Sequence, residues 1–142
     1  MTFYSKIRRR TIQFILAVLF APLIISCSKD KQTIIKNDWQ VESIKIHSDS
    51  ALKFPVNTYI LSFENKRKYY IKLDVNSCSG KVNFKSNNKI EFESDGCTKI
   101  CCDSDFAKNL MDILSKANQY NVTDVTLILT GENGEIINLK IK

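Results

Sequence analysis

From Asp38 to the C-terminus, apolar residues recur mostly at every second position, in short runs separated by polar turns, and only once at helical spacing. That pattern confines the chain to a sheet with one helix. Trp39-Gln40-Val41 opens a strand that should reach about His47, and a slip of apolar phase between Val41 and Ile44 predicts a bulge. Residues 59–63 read as a second strand and Glu64-Asn65-Lys66-Arg67 as a polar turn. Residues 68–75 are a third, with Tyr69, Ile71 and Leu73 on one face. Shorter strands at 81–85 and 89–94 meet at Asn87-Asn88, and Val82, Phe84, Ile90 and Phe92 give them an apolar side. Phe106, Leu110, Ile113, Leu114 and Ala117 form one helical stripe, with Ser104 or Asp103 as N-cap, which places a helix at about 104–118. A last hairpin pairs 122–130 with 135–141 across Gly131-Glu132-Asn133-Gly134, where Asn133-Gly134 supplies positive φ. The expectation is an α+β domain over residues 38–142: a curled antiparallel β-sheet of about seven strands packed with one α-helix.

The segment before it has a different composition. Lys6, Arg8, Arg9 and Arg10 precede an almost wholly apolar stretch, 11–26, and Cys27 follows directly. A basic start and a short apolar run make a secretory signal peptide over 1–26. The run is too short to span a bilayer, which takes ~20 apolar residues, and Pro22 interrupts it. Leu23-Ile24-Ile25-Ser26-Cys27 resembles the lipobox of bacterial lipoproteins. The resemblance implies cleavage between Ser26 and Cys27 and acylation of Cys27, where several chains together give stable anchoring. Residues 27–37 then read as the acylated cysteine and a polar tether without sustained periodicity. Ser28, rather than Asp, after the cysteine implies the outer membrane, facing the periplasm or the cell surface, and Lys29-Asp30 faintly resembles a surface-export tag. The signal also explains the net charge of +6: four of the 21 basic residues precede residue 27, leaving 17 against 15 acidic ones. A remainder at +2 carries no concentrated basic face for a nucleic acid.

Four further cysteines, Cys78, Cys97, Cys101 and Cys102, form an even set. In an oxidising compartment this reads as two disulfides. Bridging the adjacent Cys101 and Cys102 needs a strained ring across one peptide, so the expectation is that Cys78 reaches one of that pair and Cys97 the other. The alternative is a metal-handling protein whose same four thiolates surround zinc or copper(I), although the paired C-x2-C knuckles of zinc modules are absent. The single histidine, His47, rules out a site needing two imidazoles.

Asn76-Ser77-Cys78-Ser79-Gly80, then a short hairpin, then Cys97-Thr98-Lys99-Ile100-Cys101 resemble the META/HslJ-like domain, whose members carry a G-C-N-x-x-x-G turn and T-x-x-x-C-type residues ahead of a helix. Asn76 and Gly80 match the turn, Thr98 the threonine, Trp39 the opening tryptophan, Phe106 and Leu110 the helix, and 127–141 the closing strands. Val75 stands where the family has its turn cysteine, and Cys78, Cys97 and Cys102 are not general family features, so no disulfide pairing carries over. The family resembles heat-inducible envelope lipoproteins linked to stress or drug tolerance. It therefore implies a non-enzymatic structural or stress-related binding module, monomeric, without cofactor, with an envelope protein or cell-wall component as partner. A competing resemblance is to lipocalin-like envelope lipoproteins, which also open with a tryptophan. It implies a small-ligand carrier with an apolar cavity lined by Trp39, Tyr59, Phe63 and Phe84.

Other features take plainer readings. His47-Ser48-Asp49-Ser50 is a polar loop, since neighbours in one strand end point apart and do not build a triad. Asp49-Ser50-Ala51 resembles a bacterial O-glycosylation triplet. Asp95, Asp103 and Asp105 lack the regular oxygen spacing of a calcium loop. Lys66-Arg67-Lys68 is a hairpin tip with lipid headgroups as a second reading, and Tyr69 and Tyr70 face opposite ways, so one of them should be exposed.

Overall fold

The computed structural model describes residues 26–48 and 50–142; residues 1–25, on which nearly all of the expected signal peptide falls, Asp49, and the side chains of Ser26, Cys27 and Ser28 lie outside the described residues. Helix α1 spans Ser26–Lys36 and is followed by strands β1 (Trp39–Lys45), β2 (Ile60–Asn65), β3 (Lys68–Lys72), β4 (Ser77–Phe84) and β5 (Ile90–Cys97). Helix α2 (Asp105–Lys116) leads into β6 (Ala117–Val122), β7 (Thr126–Gly131) and β8 (Ile136–Ile141). All eight strands form one sheet in the order β5-β4-β3-β2-β1-β8-β7-β6. Every neighbouring pair is antiparallel. The two outermost strands approach each other: Lys89 bridges Gln119, and the Tyr120 N–H donates to the Asn88 carbonyl at 2.9 Å. The sheet is thus curled almost into a barrel.

The alternation read from the sequence sets what the curl encloses. Trp39, Val41, Leu61, Ile71, Val82, Ile90, Leu127, Leu129, Ile137 and Leu139 are all buried, at alternating strand positions. The expected bulge is present, between Val41 and Ser43 in the β1–β8 pairing. It buries Ser43 beside Ile44, and Asn138 Nδ2 satisfies the hydroxyl at 3.0 Å. Tyr69 is buried and Tyr70 exposed, as their alternation requires. Asn87 and Asn88 take φ 57° and 54°, the positive pair that a two-residue hairpin between twisted strands demands. In the last hairpin only Gly134, at φ 80°, is left-handed; the Glu135 carboxylate completes that turn by accepting the Asn133 N–H at 2.9 Å.

Helix α2 is capped by Ser104, whose Oγ accepts the Ala107 N–H at 3.2 Å. It buries Ala107, Leu110, Ile113 and Leu114 against the sheet. The three large aliphatic residues contribute roughly 1.5–3 kcal/mol each.

Three expectations need correction. The sheet has eight strands rather than about seven, because 117–122 is a strand of its own. Helix α2 ends at Lys116 rather than about 118: Ala117 turns extended, with ψ 125°, yet stays buried, so the apolar stripe runs on into β6. The polar stretch expected as a tether is helical over Ser26–Lys36. It docks through Ile34, which is fully buried, and the Trp39 indole N–H donates to the Ile34 carbonyl at 2.9 Å. A polar helix whose apolar anchors are only the adjacent Ile34 and Ile35 has no periodicity to detect. Among the described residues no helix is long and apolar enough to cross a membrane.

Candidate functional site

The residues with most chemistry converge where the β3–β4 turn meets the loop between β5 and α2. Asn76, in that turn, is buried, and its amide is saturated. Nδ2 donates to the Ile100 carbonyl and to Asp103 Oδ2, each at 2.7 Å. Oδ1 accepts from the Ile100 N–H at 2.8 Å and from Thr98 Oγ1 at 3.0 Å. Thr98 Oγ1 in turn accepts the Ser77 N–H at 3.1 Å. Asp103 Oδ1 receives the N–H groups of Val75 and Asn76 at 3.2 and 3.3 Å. Two irregular segments therefore complete each other's backbone hydrogen bonding through one amide and one carboxylate, as buried polar groups must.

Asp74 extends the network to the loop before β2. Its Oδ1 accepts from Asn57 Nδ2 at 2.7 Å and from the Tyr59 hydroxyl at 2.5 Å. Its Oδ2 accepts the Ser104 N–H at 2.8 Å. Burial alone would raise the Asp74 pKa, but hydrogen bonds from Ser104, Tyr59 and Asn57 outweigh it and hold the carboxyl well below the usual carboxylate range. Burial and the adjacent Asp74 carboxylate push the Tyr59 phenol up. The Tyr59 ring stacks on Phe106 at 5.1 Å, so the first turn of α2 is tied to the same cluster. On this frame Val75 and Ile100 are exposed, at 47% and 60%, beside the exposed Cys101 and Cys102.

The cysteines pair differently from expectation. Cys78 bonds Cys97, and Cys101 bonds Cys102; neither Cys78 nor Cys97 reaches the adjacent pair. The hairpin register is the cause: β4 and β5 place Cys78 opposite Cys97, with Cα atoms 4.0 Å apart. Cys101 and Cys102 are left to each other, and Cys102 takes φ 84°, a conformation that costs a non-glycine residue about 1–3 kcal/mol. With all four thiols bonded, the arrangement offers no thiolate set for zinc or copper(I). Among the described residues no group of three or more His, Cys, Asp or Glu side chains converges as a metal would need.

The other candidates separate. Gly80 is a packing position: a Cβ there would lie 2.0 Å from the Glu93 carbonyl and 2.6 Å from the Tyr69 ring. Trp39, Tyr59 and Phe63 belong to the packed core, with Phe84 against it; Phe63 contacts Phe84 and Phe92 at 6.0 and 6.4 Å. Of the four, Phe84 also borders a surface cleft that Trp39, Tyr59 and Phe63 do not line. The His47 loop is pinned to the last hairpin, the Ser48 N–H donating to the Asn133 carbonyl at 3.1 Å, while Asp49 lies outside the described residues. Asp105 pairs with Lys108 at 3.1 Å, whereas Asp103 binds Asn76. Of the motif residues, Asn76 and Thr98 touch, whereas Gly80 and Trp39 serve the fold. Sequence reasoning gave no role to Asp74 or Asn57 and cast Asp103 only as a cap. Their one signal was two acids flanking the motif segments.

A small, nearly closed antiparallel β-domain whose loops are braced by a buried asparagine defines the class of fold. The META domain family matches residues 32–141, and the chain belongs to that family. Among solved structures it is similar to a protein from Burkholderia xenovorans determined by NMR, with TM-score 0.66 and 15% identity over 80% of this chain and 87% of that one. It is also similar to a DUF4847 family protein from Bacteroides vulgatus, with TM-score 0.61 and 9% identity over 78% of this chain and 95% of that one. A third likeness, to a protein determined by NMR, has TM-score 0.55 and 18% identity over 78% and 93% of the two chains. At such identities the likeness is one of fold. No curated protein matches the chain.

Proposed function

We propose that this is a non-enzymatic lipoprotein of the cell envelope, anchored to the outer membrane through acylated Cys27, that presents its Asn76-braced loops to an envelope protein or cell-wall component. The observation that carries this reading is the position of those loops. Antiparallel β3 and β4 run between two ends of the domain: the β2–β3 turn and Phe84 lie at one, the Leu73–Asn76 turn and Ser77 at the other. Eight residues of β4 separate the ends by about 23 Å at ~3.3 Å per residue. Helix α1, which begins at Ser26, borders the first end through a cleft it shares with Lys66, Arg67 and Phe84. An anchor on Cys27 would leave Val75 and Ile100 at the far end, exposed for contact. The polar groups of Asn76, Asp103 and Asp74 are spent on one another and on backbone, and exposed Val75 and Ile100 beside them are apolar, which suits recognition better than proton transfer.

Two measurements test it. Labelling cells with a palmitate analogue should mark the wild type and not Cys27→Ala; equal labelling would sink the anchor. A photocrosslinking residue at Ile100 should give a discrete adduct in the envelope, absent when the crosslinker sits at Glu91 and lost when Asn76→Ala is added. Equal adducts from both positions would remove the loops from the proposed role.

A further inference from the structure

A cleft of about 570 Å³ opens between α1, the β2–β3 turn and the end of β4. Its charged lining residues are Lys31 and Lys36 from the helix and Lys66 and Arg67 from the turn, with no carboxylate among the residues that line it. In a domain whose charge beyond residue 27 is nearly balanced, four cations around one opening are a local concentration. Among the described residues none of the four forms an ion pair; the nearby Glu64 turns to Lys68, at 4.0 Å. Ile35 and Phe84 add an apolar wall, and both pack against the core.

Both rims are held. Ile34 and the Trp39 indole fix the helix. The turn is fixed where the Arg67 N–H donates to Asn65 Oδ1 at 2.8 Å and the Val82 N–H donates to the Arg67 carbonyl at 2.9 Å. Cys27 lies in the first turn of the same helix. At 1.5 Å rise per residue, Lys31 is ~6 Å and Lys36 ~14 Å along the axis from it, so Lys31 lies within the ~8 Å screening length at physiological salt and Lys36 beyond it.

We propose that this cleft binds the phosphate headgroup of an anionic phospholipid in the leaflet that holds the anchor. The cations meet the phosphate, and the Ile35–Phe84 wall meets the glycerol and the first acyl carbons. The inference rests on the lipoprotein reading for its biological setting, but the binding itself needs no acyl chain on Cys27. It turns the α1 end of the domain toward the bilayer and orients the far loops away from it.

The full chain, in neutral maltoside micelles, would be titrated with dihexanoyl phosphatidylglycerol, dihexanoyl phosphatidylcholine and inorganic phosphate while backbone amide shifts are followed. Saturable shifts confined to 31–36, 66–67 and 83–84 are expected with phosphatidylglycerol. The affinity should be about tenfold or more weaker for Lys66→Gln/Arg67→Gln and should fall as salt is raised. Both residues are exposed at a turn, so an unchanged spectrum elsewhere verifies the fold of that variant. Equal response to phosphatidylcholine, or inorganic phosphate saturating the same amides as tightly, would overturn the assignment, as would no response to any of the three. Acylation at Cys27 is read separately by intact mass, so the anchor and the cleft fail independently.

Discussion

Replacing Asn76 by alanine deletes four side-chain hydrogen bonds that join the β3–β4 turn to the 98–104 loop. A neutral bond contributes a net ~1 kcal/mol and one to a carboxylate ~1.5–3 kcal/mol. Thr98 and Ile100 are exposed and can rebond to water, so a cost of about 2–4 kcal/mol is expected rather than the full sum. A domain of this size has ~5–15 kcal/mol in total, so the variant should fold, with its urea midpoint lowered by about 1–2 M and the m-value unchanged. Asn76→Asp sharpens the test. Its carboxylate would replace an amide that sits 2.7 Å from Asp103 Oδ2, so at neutral pH it should cost at least as much as alanine. Repulsion raises the new group's folded pKa above its unfolded value, so stability lost at pH 7 should return as pH falls through that raised value. An alanine variant within 0.5 kcal/mol of wild type, below the ~1 kcal/mol of even one such bond, together with an Asn76→Asp variant whose deficit is flat in pH, would refute the bracing role.

Three further outcomes are expected. Removing Cys78 and Cys97 together, 19 residues apart, should cost ~3 kcal/mol by loop entropy, whereas removing Cys101 and Cys102, which close no loop, should change the urea midpoint little. Gly80→Ala should destabilise by about 3 kcal/mol or more, read as a large fall in thermal midpoint, because its Cβ would strike the backbone carbonyl of Glu93; an unshifted midpoint would mean the strands part easily. The depressed Asp74 pKa adds stability that is fully present above the unfolded carboxylate value of ~3.9 and is lost as pH falls below it. Asp74→Asn should therefore show a flatter stability profile between neutral pH and acid than wild type, and identical slopes would contradict the network.

The sheet was legible wherever a strand buries one face with large side chains, as in β1, β3 and β8, and so was α2, whose stripe is amphipathic. It was less legible where small or polar residues occupy the buried positions. Cys78 and Gly80 continue the alternation of Val82 down β4, but neither side chain announces a strand, so the segment read as a turn. The correct disulfide was nonetheless within reach. Pairing Phe84 with Ile90 and counting outward gives Val82 opposite Phe92 and Gly80 opposite Ser94, and one bulged residue, Asp95, then places Cys78 opposite Cys97. Strand β6 escaped because Ala117 satisfies the helical stripe and the sheet core alike. The Asn76 network is a tertiary property: its acceptors and donors lie 22 to 27 residues away in sequence, and only the folded hairpin brings them together.

Strand β8 sits between β1 and β7 in the sheet, so the eighth strand of the fold is the partner of the first. Its hydrogen bonds extend to both ends of the domain, with the Lys142 N–H donating to the Asp38 carbonyl at 3.0 Å and Asn138 reaching Ser43 across 95 residues. Without β8, the strand sets β5-β4-β3-β2-β1 and β7-β6 meet only where the Lys89–Gln119 bridge joins their far edges, and the sheet stays open. Contacts of such long range form late. Placing the eighth strand between the first and the seventh works as a timer that delays closure of the sheet until all eight strands are available.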